Sequence, residues 1–119
     1  MNIGVNMLLW ATCVTKAHRT ALEAIRAAGA DGVEIPIMEG EPTDYREVGR
    51  ILDDLGLKRT ASMAFVTPDA NPVSDDPACR QAAADHLRWL IACAHELGAP
   101  LVCGRSEEHT SELQSRITI

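Results

Sequence analysis

The stretch AAGADGVEIP at residues 27–36 decides the fold class of this chain. Its apolar start is typical of a helix end, Gly29 stands where a helix stops, and residues 31–36 have the pattern of a buried strand that ends at a proline. The same order of helix end, glycine and strand recurs at Leu55-Gly56-Leu57 and at Leu97-Gly98-Ala99. Strands that alternate with helices in this way predict an α/β fold with a parallel sheet and right-handed crossovers.

Apolar residues at strand and helix spacing place the other elements around these junctions. Buried strands are predicted over residues 3–9, over residues 58–65 and from residue 101 onward. Three helices are predicted between the strands; Thr43 is the predicted N-cap of the second, and the third runs from Pro77 to about Leu97. The apolar faces carry Leu22, Ile25 and Ala28 in the first helix, Val48, Ile51, Leu52 and Leu55 in the second, and Ala83, Leu87, Leu90, Ile91, Ala94 and Leu97 in the third.

Two architectures contain such a repeat, a doubly wound open sheet and a closed (β/α)8 barrel. In both of them, function is located at the carboxyl ends of the strands. The candidate positions are therefore residues 7–10, 34–38 and 62–67, together with whatever follows Gly104.

Composition excludes several classes of protein. The chain has 119 residues, of which 46% are hydrophobic and 24% charged, as expected for one small globular domain rather than a disordered or fibrous chain. The net charge is −6 and no basic cluster is longer than Lys58-Arg59, which argues against a nucleic-acid partner. The apolar run at residues 7–10 is far shorter than the roughly 20 residues of a membrane span, and the first three residues lack the basic side chain of a secretory signal. We therefore expect a cytoplasmic protein without a membrane partner.

The four cysteines, Cys13, Cys79, Cys93 and Cys103, contain no C-x2-C pair. Disulfide frameworks belong to small secreted domains, and closely paired cysteines belong to zinc sites. Cys93 and Cys103 lie in apolar helix and strand patterns, where a free thiol behaves as a small hydrophobic side chain. We expect all four to be reduced, structural thiols.

Residues 105–119 differ in character from the rest of the chain. The run RSEEHTSELQS at residues 105–115 is polar and has neither helical nor strand periodicity. It resembles the in-frame translation of a common sequencing-library adapter, and segments of that kind are excluded from fold analysis. The prediction is a native part at residues 1–104, which holds the first three β/α units and strand four, followed by a non-native tail at residues 105–119. A genuine polar tail is the alternative.

Polar side chains interrupt the predicted apolar strands. A carboxylate in a buried strand is costly unless it is paired or binds a ligand, so Glu34 is either a substrate contact or half of an ion pair with an arginine of a neighbouring strand. Asn6 and Ser62 also need hydrogen-bond partners, which are substrate hydroxyls, water or backbone groups. Trp10 follows the first strand and either walls a sugar-sized pocket or packs under a loop.

The histidines and the common short motifs identify no catalytic set. His86 and His95 lie on the third predicted helix at a spacing that does not share a face, unlike a metal-ligand pair. The chain contains no G-x-G-x-x-G, P-loop or G-x-S-x-G motif, so nucleotide binding and serine hydrolysis have no support. From the residues alone, a small α/β binding domain without catalysis is an alternative to an enzyme.

Several motifs give the chain a family resemblance. MNIGV at residues 1–5, AGADGVEI at residues 28–35 and LDDLGL at residues 52–57, together with Trp10, resemble the N-terminal half of the sugar isomerase/epimerase family with xylose isomerase-like barrels. AHELGAP at residues 94–100 is similar in the same way. The likeness covers residues 1–104 and consists of framework motifs, and the branch it most resembles is that of the D-tagatose/D-psicose 3-epimerases.

The resemblance implies a truncated (β/α)8 TIM barrel from a metal-dependent isomerase or epimerase of carbohydrate metabolism that acts on a ketose or a related polyol. In this family one divalent ion, Mn²⁺, Mg²⁺ or Co²⁺, binds two glutamates, an aspartate and a histidine from the later strands. The ion holds two ketose oxygens while one glutamate removes the C3 proton and a second returns a proton to the opposite face. None of these ligands lies before Gly104, so the chain by itself is expected to bind no metal and to be inactive. The parent enzyme is expected to be a homo-oligomer.

The resemblance also implies substrate-binding positions. The sugar contact of strand one matches Asn6, that of the following loop matches Val14, and that of strand three matches Ser62. Ketose 3-epimerases usually have aromatic residues at the first two positions, so chemistry like that of inosose dehydratase or hydroxypyruvate isomerase is an alternative. The branch that cuts DNA at abasic sites has a zinc-binding histidine near the end of strand three, where this chain has SMAF at residues 62–65, and it ranks well behind. The predicted substrate-binding residues are Asn6, Glu34 and Ser62.

Overall fold

A computed structural model describes residues 1–64 and 69–105, which form one sheet of four parallel strands. The strands are β1 (Gly4–Asn6), β2 (Gly32–Pro36), β3 (Lys58–Ala64) and β4 (Val102–Arg105). Each strand pairs with its neighbour in the chain, in the order β1-β2-β3-β4. A doubly wound sheet reverses its order partway, whereas a barrel adds each strand on the same side of the last. The order therefore selects the barrel architecture, and the described residues form an open section of one.

Three helices connect the strands and enclose a single hydrophobic core with the sheet. They are α1 (Arg19–Ala27), α2 (Pro42–Leu55) and α3 (Pro77–Leu97), and short 3₁₀ turns lie at Met7–Leu9 and Lys16–His18. The core takes alternate residues from the strands and the inner stripe of each helix, among them Leu22, Val33, Ile35, Val48, Leu52, Ala61, Met63, Leu90 and Leu97. Because strand residues alternate between the two faces of a sheet, the residues between these face away from the helices.

The glycine repeat ends the helices as predicted. Gly56 (φ +69°) and Gly98 (φ +78°) are left-handed C-caps, and their N–H groups donate to carbonyls in the last turns of α2 and α3. Gly29, just beyond the end of α1, also has a positive φ of +101°. A side chain is strained in this backbone conformation, so glycine lets each helix stop and lets the chain turn directly into the next strand.

The first strand is shorter than its apolar pattern predicts. β1 ends at Asn6 rather than at residue 9, and Met7–Leu9 form a 3₁₀ turn. The reason is a side-chain cap, because Asn6 Oδ1 accepts a hydrogen bond from Leu8 N at 2.9 Å. An apolar run with an asparagine inside it therefore changes from strand to turn at that residue.

The second helix begins earlier than its predicted N-cap at Thr43. Glu41 is the N-cap, and it forms a capping box with Asp44 in which each side chain accepts a hydrogen bond from the other residue's backbone N–H. Pro42 occupies the first turn, where its missing N–H is not needed for helix hydrogen bonds.

The buried stripes of the helices are narrower than predicted. Ile91 on α3 is 61% exposed, and Ala28 at the end of α1 is also exposed. Cys93 is fully buried on α3 instead. Helical periodicity identifies the apolar stripe, but it does not separate the centre of the stripe from its edge.

Strand β4 continues to Arg105, one residue into the predicted tail. The rest of that tail, residues 106–119, and the end of the predicted third strand at Phe65 lie outside the described residues. Within residues 1–64 and 69–105, no helix combines the length and the apolar character needed to cross a membrane.

Candidate functional site

The polar residues predicted as substrate contacts lie on the helix-free face of the sheet. The neighbours of Glu34 along β2 are buried in the core, so Glu34 faces away from the helices. Asn6 is the register partner of Glu34 on β1, and Ser62 on β3 is the register partner of Cys103 on β4. In a closed barrel this face is the interior, and the strand ends beyond these residues form the carboxyl rim.

Glu34 is hydrogen-bonded to both outer strands of the sheet. Its Oε2 accepts from Asn6 Nδ2 at 2.9 Å, and its Oε1 accepts from Cys103 Sγ at 2.8 Å. Since β3 lies between β2 and β4, the glutamate side chain reaches across β3.

The ion pair predicted as the alternative role for Glu34 is not found among the described residues. Arg59 on the neighbouring strand donates to Asp53 Oδ1 at 2.6 Å and to the Gly49 carbonyl oxygen at 3.3 Å, and both of these residues belong to α2. In the part of the chain that the structure describes, Glu34 forms no salt bridge. The Glu34 carboxylate is therefore held by two neutral donors on the barrel face.

Cys103 is a member of this site that the sequence analysis missed. The hydrogen bond that the thiol donates to Glu34 raises the pKa of Cys103, and partial burial and the negative charge of Glu34 raise it further. The thiol therefore stays protonated and remains a donor. Because residues 101–103 have an apolar strand pattern, the sequence predicts Cys103 to be a small hydrophobic residue of the strand. Alignment of the fourth strand with the third, which places Cys103 beside Ser62, is the signal that could have found it.

Ser62 carries a buried hydroxyl oxygen that has no hydrogen-bond partner among the described residues. Buried hydroxyls in native proteins are nearly always paired with protein, water or ligand. The register neighbours of Ser62 are Pro36, which has no N–H to donate, and Cys103, whose thiol donates to Glu34. The Ser62 hydroxyl is thus available to a further polar group on the barrel face.

The 3₁₀ turn after β1 brings apolar side chains to the carboxyl end of the sheet. Met7 is buried and anchors the turn, and its carbonyl oxygen accepts from Trp10 N at 2.9 Å and from Ala11 N at 3.1 Å. Trp10 is 49% exposed, and its role as a pocket wall stays a prediction. Val14, which the resemblance implied as a sugar contact, is 2% exposed and belongs to the core.

A concavity of about 490 Å³ lies along the same face of the sheet. Its lining includes Asn6, Glu34 and Thr60, and it extends past Ile3 and Lys58 to the amino ends of the strands. Barrel interiors are filled by layers of side chains from all strands, whereas sites lie at the carboxyl end. We therefore assign the amino-terminal part of the concavity to packing and only the end at Asn6 and Glu34 to the site.

The metal ligands that the resemblance implies belong to later strands and not to the described residues. In residues 1–64 and 69–105, no three His, Cys, Asp or Glu side chains come together in a group that could hold a metal ion. His18 Nδ1 accepts from Thr15 N at 3.0 Å in the cap of the second 3₁₀ turn. The ring of His86 lies 5.1 Å from that of Trp89, and burial lowers the pKa of this histidine. No chemical step through a metal is therefore derived from these residues.

Comparison with protein families and curated proteins gives two findings. The family model described as xylose isomerase-like TIM barrel matches residues 22–117. The ketose 3-epimerase of Arthrobacter globiformis is 33% identical over 106 residues, which cover 87% of this chain and 36% of the relative. The chain thus spans about a third of the length of this curated relative.

Two solved structures are similar in fold. D-allulose 3-epimerase from Methylomonas sp., in complex with D-allulose, has a TM-score of 0.74 and 24% identity, with coverage of 87% of this chain and 36% of its own. L-ribulose 3-epimerase has a TM-score of 0.73 and 24% identity, with coverage of 98% of this chain and 42% of its own. At this identity the likeness shows the fold alone, and it agrees with the strand order described above.

Proposed function

Because the chain belongs to the xylose isomerase-like TIM barrel family, we propose that it forms the first part of a barrel enzyme that isomerises or epimerises a ketose or a related polyol. The identity to a ketose 3-epimerase over most of the chain supports this reaction class. The observation that carries the proposal is the row of polar groups at Asn6, Glu34 and Ser62 on the barrel face. A buried hydroxyl and a carboxylate held by neutral donors are groups with which sugar hydroxyls form hydrogen bonds.

Sugar hydroxyls both donate and accept hydrogen bonds, and the row offers both functions. The Ser62 hydroxyl donates or accepts, and a sugar oxygen beside it would satisfy an otherwise unpaired buried group. The Glu34 carboxylate has lone pairs beyond those that Asn6 and Cys103 use, and these accept from a sugar hydroxyl. We assign substrate binding to Asn6, Glu34 and Ser62.

Epimerisation beside a carbonyl needs a proton removed from one face of the carbon and returned to the other. The described residues take the binding part of this reaction, since their hydrogen bonds fix how the sugar lies across the barrel. We propose that the groups that transfer the proton lie on strands beyond β4. Binding of Mn²⁺, Mg²⁺ or Co²⁺ by that later part of the barrel, a homo-oligomeric state and a cytoplasmic location are further predictions.

A second candidate is an enzyme of the same fold with chemistry like that of inosose dehydratase or hydroxypyruvate isomerase. Asn6 and Val14 favour it, because the resemblance leads us to expect aromatic residues at these two positions in a ketose 3-epimerase. Asn6 is instead polar and hydrogen-bonded, and Val14 is buried in the core. The two candidates differ in substrate, so one panel of substrates separates them.

The test uses the whole translation product of the source gene in D₂O. D-allulose, D-fructose, D-tagatose and L-ribulose are supplied in turn, followed by an inosose and hydroxypyruvate, and products are observed by ¹H NMR. We expect a ketose to be converted to its C3 epimer with deuterium incorporated at C3, because the proton passes through an exchangeable group. Absence of exchange with all the ketoses contradicts the proposed epimerase, and turnover of an inosose or hydroxypyruvate alone selects the second candidate.

Ser62→Ala tests the site itself. We expect KM for the active ketose to rise about three- to tenfold with a smaller change in kcat, since one neutral hydrogen bond contributes about 0.5–1.5 kcal/mol. Thr20→Ala is the control, because it removes a hydroxyl from an exposed position on α1. Equal KM values in the two variants would remove Ser62 from the site.

A further inference from the structure

Glu34 and the backbone of the following turn together hold the Asn6 side chain. Asn6 Oδ1 accepts from Leu8 N at 2.9 Å, while Asn6 Nδ2 donates to Glu34 Oε2 at 2.9 Å. A backbone N–H only donates and a carboxylate only accepts, so the Asn6 amide satisfies both neighbours in one orientation alone. Leu8 N and Glu34 therefore favour the same orientation, with Glu34 holding the donor end of the amide while Oδ1 caps the turn.

The turn that Asn6 caps carries Trp10. Asn6 is the N-cap of the 3₁₀ turn Met7–Leu9, and Trp10 is its C-cap, with the Trp10 backbone N–H donating to the Met7 carbonyl oxygen. Buried Met7 anchors one side of the turn, whereas half of the Trp10 side chain is exposed. The placement of the indole thus depends on the geometry of a short turn whose N-cap residue is also hydrogen-bonded to Glu34.

The other carboxylate oxygen accepts a hydrogen bond from β4, the edge strand on the far side of β3. Cys103 Sγ on β4 donates to Glu34 Oε1 at 2.8 Å, so the carboxylate is fixed between two strands before it acts on Asn6. This arrangement gives a chain of contacts from β4 through Glu34 and Asn6 to the turn at the carboxyl end of β1. Cys103 Sγ also lies 3.7 Å from the Ala61 carbonyl oxygen, and the contact with Glu34 is the shorter of the two.

The geometry points to Glu34 as a positioning residue that acts through Asn6 to place Trp10 at the carboxyl end of the barrel, as an aromatic wall for a neutral sugar ring. The sugar part of this inference rests on the proposed function. Aromatic side chains line ligand pockets while a few polar groups fix the orientation of the ligand. Glu34 serves both functions, since it is one of the polar groups and also helps to position the Trp10 side chain.

The test uses the whole translation product of the source gene labelled with 5-fluorotryptophan and observed by ¹⁹F NMR. The Trp10 resonance is identified by its loss in Trp10→Phe. Glu34→Ala removes the acceptor of Asn6 Nδ2, whereas Glu34→Gln keeps a carbonyl oxygen that accepts from it. Glu47→Ala is the matched control, because it removes a glutamate from the exposed surface of α2.

We expect the Trp10 resonance to shift in Glu34→Ala and to stay near its wild-type position in Glu34→Gln and in Glu47→Ala. KM for the ketose rises about tenfold in Glu34→Ala and kcat changes less, as expected for a lost hydrogen bond to a charged group. An unchanged Trp10 resonance in folded Glu34→Ala overturns the inference. Equal shifts in the alanine and glutamine variants also overturn it, because charge and not the hydrogen bond would then control the turn.

Asn6→Ser keeps the test decisive if Glu34→Ala does not fold. Asn6 is exposed, and a serine there keeps an oxygen to cap Leu8 N but is too short to reach Glu34. We expect this variant to shift the Trp10 resonance, and we expect Glu34→Gln to add nothing to it in the double variant. A Trp10 resonance that Asn6→Ser leaves in place, or a shift that Glu34→Gln enlarges, overturns the inference.

Failure of the inference and failure of the proposed function give different results. A wild-type protein that converts no ketose contradicts the function, while the ¹⁹F spectra still show whether Glu34 positions the turn. An active enzyme whose Trp10 resonance does not respond to Glu34→Ala contradicts the positioning role alone.

Discussion

The thiol of Cys103 and the carboxylate of Glu34 share a hydrogen bond of 2.8 Å, which couples the chemistry of the two side chains. The bond and the negative charge both favour the protonated thiol, and together with partial burial they raise the pKa of Cys103. The thiolate is the reactive form of cysteine, so Glu34 suppresses the reactivity of an exposed thiol.

Glu34→Gln is therefore expected to lower the pKa of Cys103 toward its ordinary value and to speed its alkylation by iodoacetamide at mildly alkaline pH. The rate is measured over a pH series by mass spectrometry of the peptide that contains Cys103. Cys13 is an internal control, because burial and Glu39 raise its pKa and Glu34 does not contribute. A Cys103 rate that is the same in both proteins would show that the thiol does not bond to Glu34 in solution.

Single residues of the site were predictable where a polar side chain interrupts an apolar strand pattern. Glu34 stood out as a carboxylate in an apolar strand, and Asn6 and Ser62 as polar residues in two others. The structure brings Asn6 and Glu34 into contact, and their binding of a substrate stays a prediction. The partner Cys103 was not predictable from local pattern, because a contact across β3 depends on the order of the strands in the sheet.

At the scale of elements, α2 and α3 are in close contact at Gly49. A Cβ atom there would lie 2.8 Å from the carbonyl oxygen of Leu97 and 3.3 Å from that of Glu96. These are backbone atoms at the end of α3, so they do not rotate away from a side chain. One turn earlier, Arg46 Nε lies 2.7 Å from Glu96 Oε2 and joins the same two helices.

Gly49→Ala is expected to lower the free energy of unfolding by about 1–3 kcal/mol, because the added methyl group separates the two helices. Steric cost outweighs the roughly 1 kcal/mol by which alanine is the better helix former. Urea unfolding of the whole translation product measures the change, and Arg50→Ala at the exposed neighbouring position should stay within about 0.5 kcal/mol of wild type. A stability of Gly49→Ala equal to or above wild type would show that the close contact is absent.

Element boundaries were predictable where one residue type ends an element by itself. The helix exits at Gly56 and Gly98 and the span of α3 follow from glycine and proline positions, and the structure confirms them. The end of β1 and the start of α2 depend on side-chain caps by Asn6 and Glu41, which compete with the apolar pattern. Sequence periodicity reflects only the apolar pattern, so it does not predict these two boundaries.

At the scale of the whole molecule, the described strands form a sheet with two unpaired edges, at β1 and β4. The helix-free face between them has the 490 Å³ concavity, whose amino-terminal part a closed barrel would fill with side chains. The local pattern left a doubly wound sheet and a barrel both open. Strand order separates them, and it is a property of the complete arrangement rather than of any one segment.

The 119-residue chain expressed alone is expected to be poorly soluble and inactive, because open sheet edges and an uncovered inner face promote association. Size-exclusion chromatography and the ketose assay measure both properties, with the whole translation product of the source gene as the reference. A soluble monomer with a sharp two-state melt, or steady epimerase turnover, would contradict the expectation.

The origin of residues 105–119 is tested in the DNA. We expect amplification of the source gene across codon 104 to show a frame that continues and supplies Glu, Asp, His and Glu at successive strand ends. A genuine stop codon after Ile119 would instead contradict the adapter interpretation and favour a small α/β domain.

The neighbour-to-neighbour order of the strands also bears on how the protein is made. Asn6 and Glu34, register partners on β1 and β2, are 28 residues apart, and each later strand likewise pairs with the one synthesised just before it. When each new strand leaves the ribosome, the strand that it pairs with has already been synthesised. The β/α units can therefore assemble in the order of translation. In a barrel closed in this way, the free edge of β1 stays unpaired until the last strand has been synthesised. Because β1 has only three residues, this unpaired edge is short, and a short edge limits pairing with other nascent chains.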